Sequence, residues 1–132
     1  MKKIVVLSAI YIFALAVFTV AAKDAEKHSH DSNAIHKLMH ARQAWLVAMT
    51  RNLDAKKFDA VAKDADALSE QTRDVGEKHP NPLGKEITLA ISTLAKDIAM
   101  AAASQNSEAV KGKLGEIKAK CGECHAKFRD KK

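Results

Sequence analysis

The sequence predicts an all-α protein, folded as an up-down-up-down antiparallel four-helix bundle. Three observations predict it. Apolar residues recur at spacings of three and four over four stretches of roughly 20 residues each. Proline and glycine are scarce, two and five among 132 residues, and both prolines fall in one interruption of that rhythm. No segment alternates apolar and polar residues with the β-branched enrichment that marks strands.

A leader is expected before the bundle. Lys2 and Lys3 form a basic start, and the run from Ile4 to Val20 is almost wholly apolar. Val20-Ala21-Ala22 offers small residues to a signal peptidase, and a polar stretch follows. This pattern is a secretory signal peptide over residues 1–22, cleaved after Ala22. An uncleaved anchor is the competing reading, and an apolar run of 17 residues is at the short edge of what spans a bilayer. Export places the chain in the periplasm. The remaining 110 residues make one small domain: a disordered tail over 23–31 and the bundle over 32–132. Loss of Lys2 and Lys3 lowers the formal charge from +6 to +4. No cluster of basic and aromatic residues points to nucleic acid.

The first helix is expected after Asp31 or Ser32, either of which can cap it, and runs to about Leu53. It carries Ile35, Leu38, Met39, Trp45, Leu46, Met49 and Leu53, a stripe wider than a coiled-coil seam. In the second stretch Phe58, Val61, Ala65, Leu68, Thr72 and Val75 step by three and four, a seam that faces other helices. Gly76 is expected to end or loosen it. In "EKHPNPLG", Asn81 stands where an N-cap is wanted and Pro82 at the first helical position. Leu83, Ile87, Ile91, Leu94, Ile98 and Ala101 mark the third helix, which "SQNS" breaks. The fourth begins near Ser107 and steps through Val110, Leu114, Ile117, Cys121, Cys124 and Phe128.

The last stretch carries the chemistry. The chain has two cysteines, and both lie in "CGECHAKFR", three apart, with His125 directly after the second. Cys-x-x-Cys-His is the attachment signature of c-type haem. Each thiol can form a thioether to a haem vinyl group, and the histidine can ligate the iron. Both cysteines continue the apolar seam of their helix, so they are expected to face the bundle. A thioredoxin-like pair needs a βαβ setting, and none is present. Half a zinc site needs a second half at proper spacing, and that is missing too. Two cysteines are also too few for a disulfide framework.

With the stretch "GEIKAKCGECHAKFRDK", the chain resembles the class II cytochromes c, the family of cytochrome c-prime and its low-spin, methionine-ligated relatives. In these four-helix bundles the haem motif lies in the last helix. The resemblance covers essentially the whole chain after the leader. It implies one covalent haem c on Cys121 and Cys124, with His125 as an axial iron ligand and Arg129 close to the proximal side. Phe128 and Arg42 are further candidates for the haem pocket. The loop between helices two and three is shorter than in the family and lacks its aromatic motif, and Lys118 stands where many relatives have glycine.

The residue over the other face of the iron divides the family's functions. "HKLMHARQ" matches the low-spin pattern, with Met39 as sixth ligand. "ARQAWL" matches the five-coordinate pattern, with Leu46 over an open iron. His36 and His40 flank Met39 and could give two-histidine ligation, and Met49 is a further register. Loop length favours Met39. The resemblance then implies a monohaem carrier of single electrons, whose potential is tuned by axial ligand, burial and nearby charge. The alternative is a protein that binds nitric oxide or carbon monoxide. A peroxidase-like enzyme would need polar distal groups, and only His36, His40 and Arg42 are near in sequence, so no enzymatic activity is expected. Implied partners are redox proteins, steered by Lys118, Lys120, Lys127, Arg129, Lys131 and Lys132 around the motif. Relatives often dimerise through their first two helices.

Overall fold

A computed structural model describes residues 33–129. The leader over 1–22, the tail over 23–31, the cap at Asp31 or Ser32 and the terminal Lys131 and Lys132 lie outside the described residues. Residues 33–129 are helical almost throughout, with no strand among them. Helix α1 covers residues 33–54. It is followed by α2 (Phe58–Glu77), α3 (Pro82–Ala103) and α4 (Ser107–Phe128). No helix among the described residues is long and apolar enough to cross a membrane. The chain divides into two compact units, residues 1–40 and 41–132.

In the second unit, residues 41–54 of α1 pack with α2, α3 and α4. Cross-helix bonds fix the directions. Arg42 Nε donates to Gln71 Oε1 at 2.8 Å, and Asn52 Nδ2 reaches Asp64 Oδ2 at 3.5 Å, so α1 and α2 are antiparallel. Ser69 and Ser92 exchange hydroxyl-to-carbonyl bonds at 3.0 and 2.8 Å between α2 and α3. Lys113 of α4 meets Asp97 of α3 at 3.9 Å.

The core follows the expected periodicity. Leu46, Met49 and Leu53 from α1 meet Val61, Ala65 and Leu68 from α2, Ile87, Ile91 and Ile98 from α3, and Val110, Leu114 and Ile117 from α4. On α3 the buried face is broader than its large residues alone predict. Thr88, Ser92, Ala95, Ala99 and Ala102 are buried as well, because α3 packs on both α2 and α4 and small side chains let both approach. Leu83 stays exposed, in the first turn.

Local rules hold at most helix ends. Asn81 Oδ1 accepts from Leu83 N–H and Gly84 N–H, with Pro82 at the helix start. Asn106 Oδ1 accepts from Ala109 N–H. Lys56 and Gln105 follow α1 and α3 at φ 57° and 55°. Each closes its helix with paired backbone bonds: Lys57 N–H to Asn52 O with Lys56 N–H to Leu53 O, and Asn106 N–H to Ala101 O with Gln105 N–H to Ala102 O. This is the Schellman arrangement, at positions where glycine is usual.

Gly76 stands one residue before the end of α2, close to the end expected there. Helix α2 continues through Glu77, and Gly76 is buried in it. A Cβ there would lie 2.9 Å from Leu89 Cδ2 and 3.3 Å from Leu89 N. The glycine is a point of close approach between α2 and α3, in the last turn of α2.

Candidate functional site

Helix α4 sets the site by continuing its own seam. Val110, Leu114 and Ile117 are buried. The next two steps, Cys121 and Cys124, are half-buried and pack against the core cluster. His125 is half-buried on the following position, and Phe128 is 43 % exposed. The two cysteines are not joined in a disulfide.

Burial pushes both thiols above their ordinary pKa. For Cys121, desolvation outweighs the lowering effect of Arg42, and Cys124 adds a smaller upward push. For Cys124, desolvation again leads, opposed by Arg42, with Glu123 raising it further. The helix direction agrees, since both lie in the last two turns of α4, where the macrodipole disfavours anions. Reactive redox cysteines show the opposite, a depressed pKa at a helix N-terminus or beside a cation that prevails. These two are neutral thiols at neutral pH.

Arg42 is the residue that the sequence pattern undervalued. It takes a seam position on α1, one turn before Leu46, and is 8 % exposed. Its Nε is held by Gln71. Its Nη2 is buried without a hydrogen-bond partner. Burial lowers its pKa, while Cys121 and Cys124 push it back up, so the guanidinium is electrostatically coupled to both sulfurs. A buried, unpaired guanidinium nitrogen is costly unless an anion or acceptor meets it. Gln71 escaped sequence reading altogether, because its role depends on a partner 29 residues away.

On the solvent side of the motif, Glu123 Oε2 accepts from Lys120 at 2.9 Å, and Glu123 Oε1 lies 3.4 Å from Lys127. Hydrogen bonds from Lys120 and then Lys127 hold this carboxyl below its usual range. Two of the lysines expected to steer a partner are therefore tied to a carboxylate on their own helix. At the same end of the bundle His79 packs on Phe128, with ring centroids 6.1 Å apart. The His79 ring fills the space over Gly84 that a Cβ there would need. Nothing in the spacing of "KHPNP" pointed to this pairing.

The remaining expected residues sort as follows. Leu46 is buried at 7 % exposure, and Met49 is fully buried in the core; it fills the interior, as methionine does. Trp45 packs partly buried against the same cluster. Arg129 is exposed, just past the end of α4, with its backbone N–H on His125 O. Met39, His36 and His40 belong to the first unit. There Met39 is 36 % exposed and both histidines are exposed. The second unit thus brings Arg42, Gln71, Cys121 and Cys124 together. Among the described residues, no three histidine, cysteine or carboxylate side chains converge as a metal cage.

Comparison with models of known protein families, with curated proteins and with solved structures finds no match to this chain.

Proposed function

We propose that the protein is a monohaem c-type cytochrome that carries single electrons in the periplasm. One observation carries the reading: Cys121 and Cys124, with His125 beside them, continue the core seam of α4 as neutral, half-buried thiols. A fully buried thiol could not reach a vinyl group, and a fully exposed one would leave the haem in water. The residues around the motif suit the group. Arg42 Nη2 is a buried donor without a partner, and a haem carboxylate is an acceptor of matching charge. Gln71 holds the guanidinium in place through Nε. Haem, when bound, supplies a one-electron iron couple. The chain holds it through Cys121 and Cys124 and presents His125 to the iron. The positive charge of Arg42 would favour the reduced iron relative to a neutral residue there, and a carboxylate that pairs with it would cut that effect.

Met39 is proposed as the sixth ligand on sequence spacing. The α1 seam steps Arg42, Leu46, Met49, Leu53, and the same spacing carried backwards falls on Met39 and Ile35, not on His36 or His40. The gas-binding reading rests on a different observation: Leu46, in "ARQAWL", is buried one turn after Arg42.

The deciding experiment is acid-acetone extraction of the purified exported chain, followed by optical spectra. Haem should stay on the protein, and Cys121→Ala with Cys124→Ala should abolish that retention. Haem that extracts freely from the wild type sinks the attachment. Sharp low-spin bands that turn high-spin in Met39→Ala support the electron carrier. A wild type already high-spin replaces it with the gas-binding protein.

A further inference from the structure

His36 and His40 stand four residues apart on α1, on one helix face, and both are exposed. Their rings lie 4.4 Å apart between centroids, at 78° between planes. We propose that this pair is a separate binding site for a divalent transition cation, copper(II) first. The chemistry is that of two imidazoles at i and i+4 on a helix, a spacing that lets both rings reach one ion.

The centroid distance is compatible with a shared ion. A ring nitrogen bonds such an ion at about 2.0–2.1 Å and sits about 1.1 Å from its ring centroid, so two imidazoles at a right angle have centroids roughly 4.5 Å apart, against about 5.2 Å at a tetrahedral angle. The observed 4.4 Å brings both rings within the reach of one ion. Copper(II) heads the affinity order for nitrogen sites. The exposure of both rings leaves the remaining coordination positions to water. The alternative use of these residues, as iron ligands, is disfavoured by the seam arithmetic, which passes through 35 and 39.

The site does not depend on the haem reading, and the test keeps the two apart. The untagged exported chain is titrated with copper(II) alone, with Cys121 and Cys124 alkylated first if they carry no haem. Electron paramagnetic resonance reads the nitrogen ligands. One equivalent should bind with hyperfine coupling to two nitrogens. His36→Ala and His40→Ala should each lose that signal while leaving helix content unchanged by circular dichroism, because neither ring is part of the core. The proposal is overturned if the signal survives both substitutions. It is also overturned if His28→Ala with His30→Ala removes the signal while His36 and His40 remain, or if either α1 substitution changes the haem spectrum, since that ring would then be on the iron.

Discussion

The two ends of the bundle are built differently. At one end, Lys56 Nζ donates to Ser107 Oγ at 3.2 Å, joining the α1–α2 turn to the α3–α4 turn. Beneath it Leu53, Val61, Ala102 and Val110 are all buried, and the seams are apolar without exception. At the other end the same seams carry Arg42, Cys121 and Cys124. There a guanidinium nitrogen is buried without a partner, two thiols are half-buried, and Phe128 is 43 % exposed. One helix, α4, passes from the first regime to the second between Ile117 and Cys121. Apolar packing along the seams is broken where the chemistry-bearing residues lie, which is where a protein departs from good packing for a reason other than stability.

The largest expected effect tests this contrast directly. Ile98 is fully buried, and Ile98→Ala should cost about 2–5 kcal/mol, the transfer term plus a cavity. Phe128→Ala, despite the larger side chain removed, should cost less than about 1 kcal/mol in the haem-free chain. Urea unfolding of both variants measures the difference. Equal costs would mean that the motif end is packed as tightly as the other, and the contrast would fall.

A smaller effect of opposite sign is expected from the buried pair. Replacing Arg42 and Gln71 together, as Arg42→Met with Gln71→Leu, removes a desolvated cation and the glutamine that holds its Nε. The haem-free chain should gain about 1–3 kcal/mol, while Gln71→Leu alone should destabilise it by stranding the guanidinium further. If haem is attached, the double variant should lose that advantage, because the cation then has an acceptor. Thermal melts with and without haem read both halves. A double variant less stable than the wild type without haem would show that Arg42 is satisfied in a way that the bond to Gln71 does not account for.

The same contrast explains which parts of the molecule were legible in the sequence. Val110, Leu114 and Ile117 could be read because a seam is a local period, and Asn81 with Pro82 because a cap is a local pattern. The Cys-x-x-Cys-His motif was legible for the same reason. Arg42 was weighed as a pocket candidate but not as a seam residue, since a period counted over apolar side chains skips a guanidinium. Gln71 and the Ser69–Ser92 exchange depend on partners 29 and 23 residues away. Gly76 was legible as a mark of the end of α2, which stops one residue later, but its close approach to Leu89 on the next helix was not. What escaped was set by cross-helix contacts, which no single period encodes.

The thiols give a pH test of the motif end. Burial raises both above their ordinary value, so in the haem-free chain the folded state holds its thiol protons to higher pH than the unfolded state does. The unfolded chain ionises first, near about 8.5, and is stabilised as it does so. Stability from this source is therefore complete below that pH and is lost as pH rises through the folded values. Alkylation should show the same order: slow at pH 8, and accelerated by urea before global unfolding. Thiols that react at pH 7 as fast as a free peptide would contradict the burial that defines this end.

The packed end carries one weakness of its own, and relieving it is the smallest effect expected. Gln105 and Lys56 occupy left-handed backbone positions, at φ 55° and 57°, where a Cβ costs about 1–2 kcal/mol. Glycine removes that cost but adds freedom to the unfolded chain, worth about 0.4–1 kcal/mol, so Gln105→Gly should stabilise by a net amount of about 0.5–1 kcal/mol. Gln105 is the cleaner site, because Lys56 also donates to Ser107 and glycine there would remove that bond. Gln105→Ala is the control: it shortens the side chain but keeps the Cβ, and should leave stability nearly unchanged. A gain from alanine equal to that from glycine would trace the effect to the side chain rather than to the backbone, and the turn would then not be the strained point in an otherwise well-packed end.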